Sequence, residues 1–434
     1  MTTWKKFSRV GLALSLTFSL VACGGGQATP TPGETPAADQ PAGDKVKLVF
    51  ARGKDVTGAS DRIIEAFEAK FPNIDVELRE MPADTGQSHD QYVTMFSAQS
   101  SEIDVFDLDV IWPAEFAQAG YLLPLDRFIE EDAINMDDYI KGAVDAGSFE
   151  GKQWTMPKFI DTGLLFYRKD LVPEPPKTWD ELIAKAKEIK GQQGTQFGYL
   201  MQAKQYEGLV CNFIEFIGSY GGRVIDAQGN VVVNSPETIK GLEKMIEIVK
   251  SDFVPGNITT FTELESHTAF IEGQSPFIRN WPYQFALAQD PAQSKIVDQV
   301  GVAPLPAGDQ GSAATLGGWM SGINKFSKNP REAWEFLKFM NGSEGQKITA
   351  IQGGSAPTYL PLYDDAEVQA ASPLFANRDF VDGISAAVPR PTSPIYPKIS
   401  EIIQIEVSKA VAGQQTAEQA VSNMEAKMKE ATGK

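Results

Sequence analysis

Three motifs in the second half of the chain place large or planar side chains beside glycine or proline, where the backbone is fixed or can be approached closely. They are Arg-Asn-Trp-Pro-Tyr at 279–283, Thr-Leu-Gly-Gly-Trp at 315–319 and Val-Pro-Arg-Pro at 388–391. The apolar faces of a pyranose can lie flat on such rings, while its hydroxyls need partners such as carboxylate and guanidinium groups. Ligand sites commonly combine an apolar lining with a few convergent polar groups. We therefore predict that these motifs form loops that bind a sugar.

The tryptophans of these motifs could instead be core residues, which is the usual position of Trp in a folded protein. Trp319 follows two glycines, and Trp281 lies between Asn and Pro. Both are unusual surroundings for a core side chain. The motifs alone leave both interpretations open.

Two aspartates occupy positions that would suit ligand binding in an α/β sheet. Asp109 lies near the end of a predicted strand at 103–111, and Asp161 comes shortly before the apolar run at 164–167. Ligands of open α/β sheets bind beyond the carboxyl ends of the strands. Either aspartate could instead cap a helix or lie in a turn. A carboxylate pair beside aromatic rings could also belong to a glycosidase, which needs one acid with a raised pKa and a defined separation.

Charge and composition argue against several other classes of chemistry. The chain has 434 residues, with 39 Lys and Arg against 57 Asp and Glu, and a net charge of -18. Nucleic-acid binding depends on basic side chains that displace counterions from phosphates, and contact with anionic lipids is equally basic. With two histidines and two cysteines, imidazole or thiolate metal sites and Cys–His nucleophiles are not expected. We expect no nucleic-acid partner, no metal and no cofactor.

The elements that must position these side chains alternate between strands and helices. Strands are predicted at 46–50, 74–78 and 103–111. Helices are predicted from apolar residues at helical spacing in 63–71, from a capping box at 178–181, and from Ser-Pro at 235–236 and Asn-Pro at 329–330. Such alternation predicts a mostly parallel α/β sheet. No linker composition follows residue 44, which two lobes that exchange segments would explain.

The first 44 residues predict export and membrane attachment. Residues 1–23 start with basic side chains and continue in an apolar run at 10–22, which is shorter than the roughly 20 residues of a membrane-spanning helix. The run ends Leu-Val-Ala-Cys, a match to the bacterial lipobox, so we predict that Cys23 is acylated after cleavage. An ordinary signal peptide with an incidental cysteine is the alternative. Residues 24–44, rich in Gly, Thr and Pro, are predicted to be a disordered tether.

Four long motifs, in order along the chain, carry a family resemblance. They are residues 204–211, 279–283, 312–319, and 388–391 with 396–404. From about residue 45 to the end, the chain resembles the extracellular solute-binding proteins of ABC sugar transporters, in particular the trehalose- and maltose-binding group. The resemblance implies an α/β, two-lobed periplasmic-binding-protein fold of type II. Its lobes are joined by crossing hinge segments, and its ligand lies in the cleft between them.

The resemblance also implies lobe boundaries and site residues. The first lobe would contain residues 45–158 and about 316–352, and the second lobe about 159–315 and 353–434. The implied ligand contacts are Asp109, Phe159 (a Tyr in the relatives), Asp161, Tyr206, Trp281, Tyr283, Gly318, Trp319 and Arg390. In this assignment the two tryptophans stack on the sugar, and the aspartates and Arg390 bind its hydroxyl edges.

Two first-lobe segments depart from the pattern of these relatives. The relatives carry an acidic residue shortly after the first strand, where this chain has Arg-Gly-Lys-Asp-Val-Thr-Gly at 52–58, so Asp55 is only a nearby substitute. They also carry Thr-Asp-Thr-x-Gln-Arg, where residues 83–88 read Ala-Asp-Thr-Gly-Gln-Ser. Asp84 is present there, but the arginine is not. The resemblance therefore still implies a sugar as the class of ligand, but it does not identify which sugar is bound.

These observations predict a substrate-binding lipoprotein of an ABC importer on the extracytoplasmic face of the cell membrane. It would capture a neutral di- or oligosaccharide of trehalose or maltose type and deliver it to the transmembrane permease subunits. We expect a monomer that binds its ligand without chemical turnover. A glycoside-processing enzyme and a sugar co-receptor for signalling are the alternatives.

Overall fold

The computed structural model describes residues 45–226, 228–377, 380, 384, 387–391 and 393–433. Cys23, the predicted signal and the predicted tether lie outside the described residues. The strands are β1 (Val46–Gly53), β2 (Ile74–Met81), β3 (Val105–Asp109), β4 (Ser148–Phe149), β5 (Lys152–Gln153), β6 (Thr155–Thr162), β7 (Leu164–Arg168), β8 (Phe277–Asn280), β9 (Val300–Ala303), β10 (Thr315–Ile323), β11 (Ala356–Pro357) and β12 (Val388–Pro389).

The described helices vary from about two to more than four turns in length. They are α1 (Ala59–Lys70), α2 (Thr85–Ser97), α3 (Pro113–Gln118), α4 (Asp126–Glu131), α5 (Lys141–Ala146), α6 (Trp179–Ile189), α7 (Glu207–Ser219), α8 (Pro236–Val249), α9 (Glu263–Ile271), α10 (Tyr283–Gln289), α11 (Pro330–Asn341), α12 (Ser343–Gly353), α13 (Ala366–Ala371), α14 (Tyr396–Val411) and α15 (Ala417–Thr432). Within the described residues, none of them is long and apolar enough to cross a bilayer.

A seven-stranded sheet has the order β11-β6-β10-β3-β1-β2, with β12 beside β10. β1 is parallel to β2 and β3, whereas β10 is antiparallel to both β3 and β6. A second sheet, β8-β7-β9, is antiparallel throughout. The prediction of a mostly parallel sheet is therefore wrong. The strand–helix alternation holds for β1 to β3, but β10 returns from a distant part of the chain and runs the opposite way.

The chain crosses directly from one sheet to the other at Gly163, the residue between β6 and β7. A Cβ on this residue would lie 2.0 Å from Oε1 of Glu215, so a larger residue cannot fit there. β11 and β12, which lie in the segment 353–434 that was predicted to belong to the second lobe, pair with β6 and β10 of the seven-stranded sheet. The lobe boundaries stay a prediction.

Aromatic packing anchors α1 and α11 to the seven-stranded sheet. The ring of Phe336 lies 5.4 Å from that of Phe50 and 5.0 Å from that of Phe67. The second sheet packs with a larger core in which α7 is buried on nearly all faces, Cys211 included. Most of its side chains are apolar, as is typical of an interior helix, and its polar residues Glu207, Asn212 and Glu215 are buried as well. This burial fixes the N-terminus of α7 beside the ends of β3 and β6.

Several predicted element boundaries change in the structure. α8 and α11 begin at the predicted prolines, and the Ser235 hydroxyl accepts the backbone N–H of Thr238 at 3.2 Å. The predicted capping box of α6 is only half formed, because the Glu181 carboxylate accepts the N–H of Lys177. The strand predicted at 103–111 covers only Val105–Asp109, because a turn follows in which Trp112 N–H donates to the Asp109 carbonyl.

The three aromatic motifs were predicted to be loops, and this is only partly correct. The Gly-Gly-Trp motif lies inside β10, and the Arg-Asn pair ends β8 before Trp281 starts the approach to α10. Val388 and Pro389 form the short strand β12. The glycines and prolines of these motifs permit close strand packing as well as turns.

Candidate ligand-binding site

A cavity lies between the seven-stranded sheet and the part of the chain that carries the three-stranded sheet. The space open to the centre of a water molecule is about 220 Å³, against the roughly 10–15 Å³ that one water needs by this measure. Its walls come from the segment after β1, the ends of β3 and β6, the middle of β10, the N-terminal turns of α7 and α9, and the junction between β8 and α10.

The structure brings nearly all of the predicted site residues to this cavity. Those that line it are Asp55, Asp109, Phe159, Asp161, Tyr206, Trp281, Tyr283, Gly318, Trp319 and Arg390. Asp84 is not among the lining residues, although its neighbours Ala83 and Thr85 are. Its carboxylate caps α2 by accepting the N–H groups of Gly86 and Gln87, and it forms an ion pair with Lys204 at 2.7 Å.

Strand pairing explains how residues far apart in sequence meet at the cavity. β10 lies between β3 and β6, so Trp319 pairs with Asp109 on one side and with Phe159 on the other. Gly317 pairs with Asp161 in the same way. Residues that are opposite each other on neighbouring strands point to the same face of a sheet. One strand register therefore assembles the floor of the cavity.

The two glycines before Trp319 are required by close approach. Gly318 has a φ of +130°, and a Cβ there would lie 2.6 Å from the Phe159 carbonyl oxygen. A Cβ on Gly317 would lie 3.0 Å from Cζ3 of Trp281. The first position excludes other residues by conformation as well as space, and the second brings β10 against the face of an indole.

Both cavity tryptophans are held by neighbours and remain only partly buried. The Trp281 ring lies over the Arg279 guanidinium, with Cζ 3.8 Å from the ring centroid, and its Nε1–H donates to Glu263 at 3.2 Å. Trp319 packs edge-on against Trp112, with ring centroids 5.7 Å apart. Each indole is thus fixed on one side while its remaining surface contributes to the cavity wall.

A buried ion cluster closes one end of the cavity. Arg390 donates to both carboxylate oxygens of Asp109 at 2.6 and 3.2 Å and to Oε1 of Glu207 at 2.8 Å. Glu207 also accepts hydrogen bonds from the hydroxyls of Tyr396 and Ser400. Burial raises the pKa of Glu207, the nearby Asp109 raises it further, and Arg390 opposes the shift. The Nε of Arg390 has no hydrogen-bond partner among the described residues.

Among the carboxyl groups of the cavity, Asp161 has the fewest hydrogen bonds and ion pairs to offset its burial. It is 6% exposed, and its Oδ1 has no hydrogen-bond partner in the part of the chain that the structure describes. Burial raises its pKa to about 7; Arg279 counters this in part, and the charges of Asp109 and Glu263 add to the rise. This carboxyl is therefore partly protonated near neutral pH.

Asp55 organises the loop after β1 more than it faces the cavity. Its carboxylate accepts the backbone N–H groups of Thr57 and Ser60, each at 2.8 Å, and pairs with Arg52 at 3.3 Å. Burial opposes ionisation, but Arg52 and these hydrogen bonds hold the pKa of Asp55 well below its usual range. The Arg52 guanidinium, which also lines the cavity, is thereby fixed in position.

Sequence reasoning missed Glu207, Glu263, His267 and Arg52 as cavity residues. Glu263 accepts the Tyr206 hydroxyl at 2.7 Å, in addition to the Trp281 indole. His267 is buried with neither ring nitrogen partnered among the described residues, and burial lowers its pKa to about 4. Glu207 could have been noticed inside the 204–211 motif. Glu263 and His267 carry no local signal, because only tertiary packing turns α9 toward the cavity.

The described residues contain no group of His, Cys, Asp or Glu side chains arranged to hold a metal ion. What the cavity offers is a pair of indole surfaces with hydrogen-bonding groups at their edges. Such an arrangement binds an organic ligand that has both apolar faces and several polar substituents.

Comparison with known proteins agrees with this geometry. Residues 53–347 match the family described as bacterial extracellular solute-binding protein. A probable ABC transporter-binding protein of Deinococcus radiodurans is 34% identical over 372 residues, which cover 81% of this chain and 87% of that protein.

Two solved structures extend the likeness to the fold. Maltose-bound MalE3 of T. maritima superposes with a TM-score of 0.84 at 37% identity, covering 88% of this chain and 99% of the other. The GacH receptor of Streptomyces glaucescens, solved without ligand and with acarbose and an acarbose homolog, gives a TM-score of 0.79 at 25% identity over 89% and 98% of the two chains. The predicted two-lobed periplasmic-binding-protein fold is confirmed, and the chain belongs to the bacterial extracellular solute-binding protein family.

Proposed function

We propose that this protein is the substrate-binding component of an ABC sugar importer and that it captures a di- or oligosaccharide of trehalose or maltose type. The observation that carries the proposal is the cavity with two partly buried indoles, Trp281 and Trp319, beside polar atoms that have no partner in the described part of the chain. The bound sugars of the similar MalE3 and GacH proteins, maltose and acarbose, support the same class of ligand.

The unpartnered atoms give a physical reason for the ligand class. Oδ1 of Asp161, Nε of Arg390 and both ring nitrogens of His267 lack partners among the described residues. Each unsatisfied buried group costs roughly 1–3 kcal/mol. A sugar hydroxyl both donates and accepts, so one ligand can satisfy acceptors and donors on different walls. Its C–H faces then replace water on the two indoles.

Binding would proceed without turnover. The raised pKa of Asp161 is the property that a glycosidase acid needs. A second carboxylate that is available for reaction is also needed, and Asp109 is held by two hydrogen bonds from Arg390. Prolonged incubation of the pure protein with a panel of disaccharides, followed by chromatography, should return the sugars unchanged. Product that disappears in Asp161→Ala would establish the enzyme alternative.

We also propose that Cys23 carries a lipid and that residues 24–44 connect it to the folded body. Stable anchoring by lipid needs more than one acyl chain or a second membrane signal, and a processed lipobox cysteine supplies the chains. The Cys23→Ser variant should then be unlipidated and released from membranes. Lipid that persists on this variant in mass spectrometry would contradict the assignment.

Calorimetry with trehalose, maltose and maltotriose tests the ligand class. Trp281→Ala and Trp319→Ala should each weaken binding at least about tenfold, because an indole contributes a large contact area. Trp154→Ala is the matched control, since Trp154 is partly exposed and does not line the cavity. Circular dichroism should show that all three variants fold. Unchanged affinity in both cavity variants, or tight binding of an amino acid instead of any sugar, would contradict the proposal.

A further inference from the structure

The carboxylates around Asp161 outnumber the guanidinium groups that act on them. The charged groups that act on Asp161 are the guanidinium groups of Arg279 and Arg390 and the carboxylates of Asp109 and Glu263. The Tyr283 phenol is also close to Asp161, and His267, which is neutral because burial lowers its pKa to about 4, lines the same cavity. Arg279 is paired with Glu215, and Arg390 is shared by Asp109 and Glu207. Five carboxylates are therefore served by two cations.

The two remaining carboxylates differ in what surrounds them. Glu263 accepts hydrogen bonds on both oxygens, from the Tyr206 hydroxyl and the Trp281 indole. Asp161 is more than nine-tenths buried, and its Oδ1 has no partner among the described residues. Asp161 is thus a carboxylate on the cavity wall that has neither a paired cation nor a hydrogen bond to its Oδ1 among the described residues.

From this we infer that the cavity binds a sugar carrying an amine in preference to the same sugar with a hydroxyl, and that the ammonium group pairs with Asp161. The inference rests on the proposed sugar-binding function and specifies a subclass of its ligands. A hydrogen bond between ionised groups is roughly twice as strong as one between neutral groups. The neighbouring indole faces also attract a cation within about 6 Å of the ring centroid.

Proton release accompanies this mode of binding. In the empty cavity Asp161 is partly protonated near neutral pH, because burial raises its pKa to about 7. An ammonium group stabilises the carboxylate, so the proton leaves when the amine binds. The preference for the amine therefore increases as the pH rises toward about 7 and is lost as the pH falls below it. A neutral sugar expels no proton and should lack this dependence.

The test compares maltose and trehalose with their monoamino-monodeoxy analogues, in which one hydroxyl at a time is replaced by an amine. Titration calorimetry would be run between about pH 5.5 and about pH 7, so that the amine of the analogue stays largely protonated while Asp161 titrates. At the upper pH at least one analogue should bind about tenfold more tightly than its parent sugar. Its N-acetylated derivative, which has no charge, should lose the gain.

Two carboxylate variants locate the effect. Asp161→Asn removes the charge but keeps a side chain of similar shape, so it should abolish the preference for the amine. Asp170→Asn is the matched control and should retain the preference, because Asp170 is paired with Arg168 at 2.6 Å and does not line the cavity. The acetyl control and the pH series use the unaltered protein, so they decide the question even if a variant fails to fold.

The outcomes separate this inference from the proposed function. If the parent sugars bind but no amino analogue binds more tightly, the inference is wrong and the sugar-binding function stands. A preference that survives in Asp161→Asn, or that does not weaken toward low pH, also overturns the inference. If neither the parents nor the analogues bind, the proposed function is wrong and the inference fails with it.

Discussion

Two buried ion clusters border the cavity, and the same residue type has different surroundings in each. In the inner cluster, Arg279 is fully buried, donates to both oxygens of Glu215 and to Gln202, and does not line the cavity. In the outer cluster, Arg390 binds Asp109 and Glu207, lines the cavity and keeps its Nε unpartnered among the described residues.

The two arginines therefore have different roles: Arg279 supports the structure of the site, and Arg390 is available to bind a ligand. Arg279 is paired with Glu215 and lies against the Trp281 indole. It therefore holds Trp281 in place and offers no hydrogen bond to a ligand. Arg390 has donor capacity left over at the cavity. Saturated hydrogen bonding therefore indicates a structural arginine, and incomplete hydrogen bonding in a cavity wall indicates a ligand contact.

The largest expected effect is the loss of stability in Arg279→Met. It leaves Glu215 buried without a cation, and breaking a buried pair from one side costs roughly 3–5 kcal/mol. Urea denaturation should show this decrease in the free energy of unfolding. Arg331→Met is the control, because Arg331 is half exposed in its ion pairs and should lose at most about 1 kcal/mol. Equal losses of unfolding free energy in both variants would show that the buried ion pair of Arg279 stabilises the protein no more than the surface pairs of Arg331.

Asp161 belongs to neither cluster and should make stability depend on pH. Its pKa in the folded protein is raised to about 7, so the folded state holds a proton that the unfolded state releases. The cost of ionising Asp161 is therefore absent in acid and grows as the pH rises from about 4 to about 7. Relative to wild type, Asp161→Asn should gain on the order of 2–4 kcal/mol over this range. Parallel pH profiles of the two proteins in denaturant unfolding would contradict the assignment.

The next effect is on affinity rather than stability. Arg390→Lys keeps a positive charge beside Asp109 and Glu207 but removes Nε and the planar fork of donors. Loss of a charged hydrogen bond of roughly 1.5–3 kcal/mol corresponds to about 10- to 150-fold weaker sugar binding. Calorimetry should show this loss while the free energy of unfolding falls less than in Arg279→Met. The opposite order of effects would exchange the roles that we assign to the two arginines.

The smallest effect concerns the Asp84–Lys204 ion pair, which joins the cap of α2 to the segment before α7. Its side chains are 14% and 35% exposed, and such pairs are worth at most about 1 kcal/mol. Lys204→Met should weaken sugar binding less than about fivefold. Lys240→Met removes a surface pair away from the cavity and is the control.

Solution scattering measures the related change in shape. Hinge closure around a ligand is common in periplasmic binding proteins, so saturating sugar should reduce the radius of gyration. Without sugar, Lys204→Met should have a slightly larger radius than wild type. Identical curves for wild type and Lys204→Met would show that the pair does not hold the two sides of the cavity together.

Local sequence rules predicted the starts of α8 and α11 because helix capping is a short-range effect, but they assigned the Gly-Gly-Trp motif to a loop although it lies inside β10. They failed for the sheet, because the pairing of β10 with β3 and β6 joins residues more than 150 positions apart. The side chains that line the cavity were accessible mainly through family resemblance. The motifs could not identify Glu263 and His267 as cavity residues, because nothing in the sequence near α9 indicates which face of this helix meets the ligand.

The central position of β10 also has a consequence for synthesis of the chain. A nascent chain that ends before Thr315 contains β3 and β6 but lacks the strand that separates them. Both strands then present unpaired edges, which are prone to incorrect association. Contacts of such long sequence separation form slowly. The pairing of β10 with β3 and β6, which joins the two parts of the seven-stranded sheet, can therefore form only after residue 323 has been made.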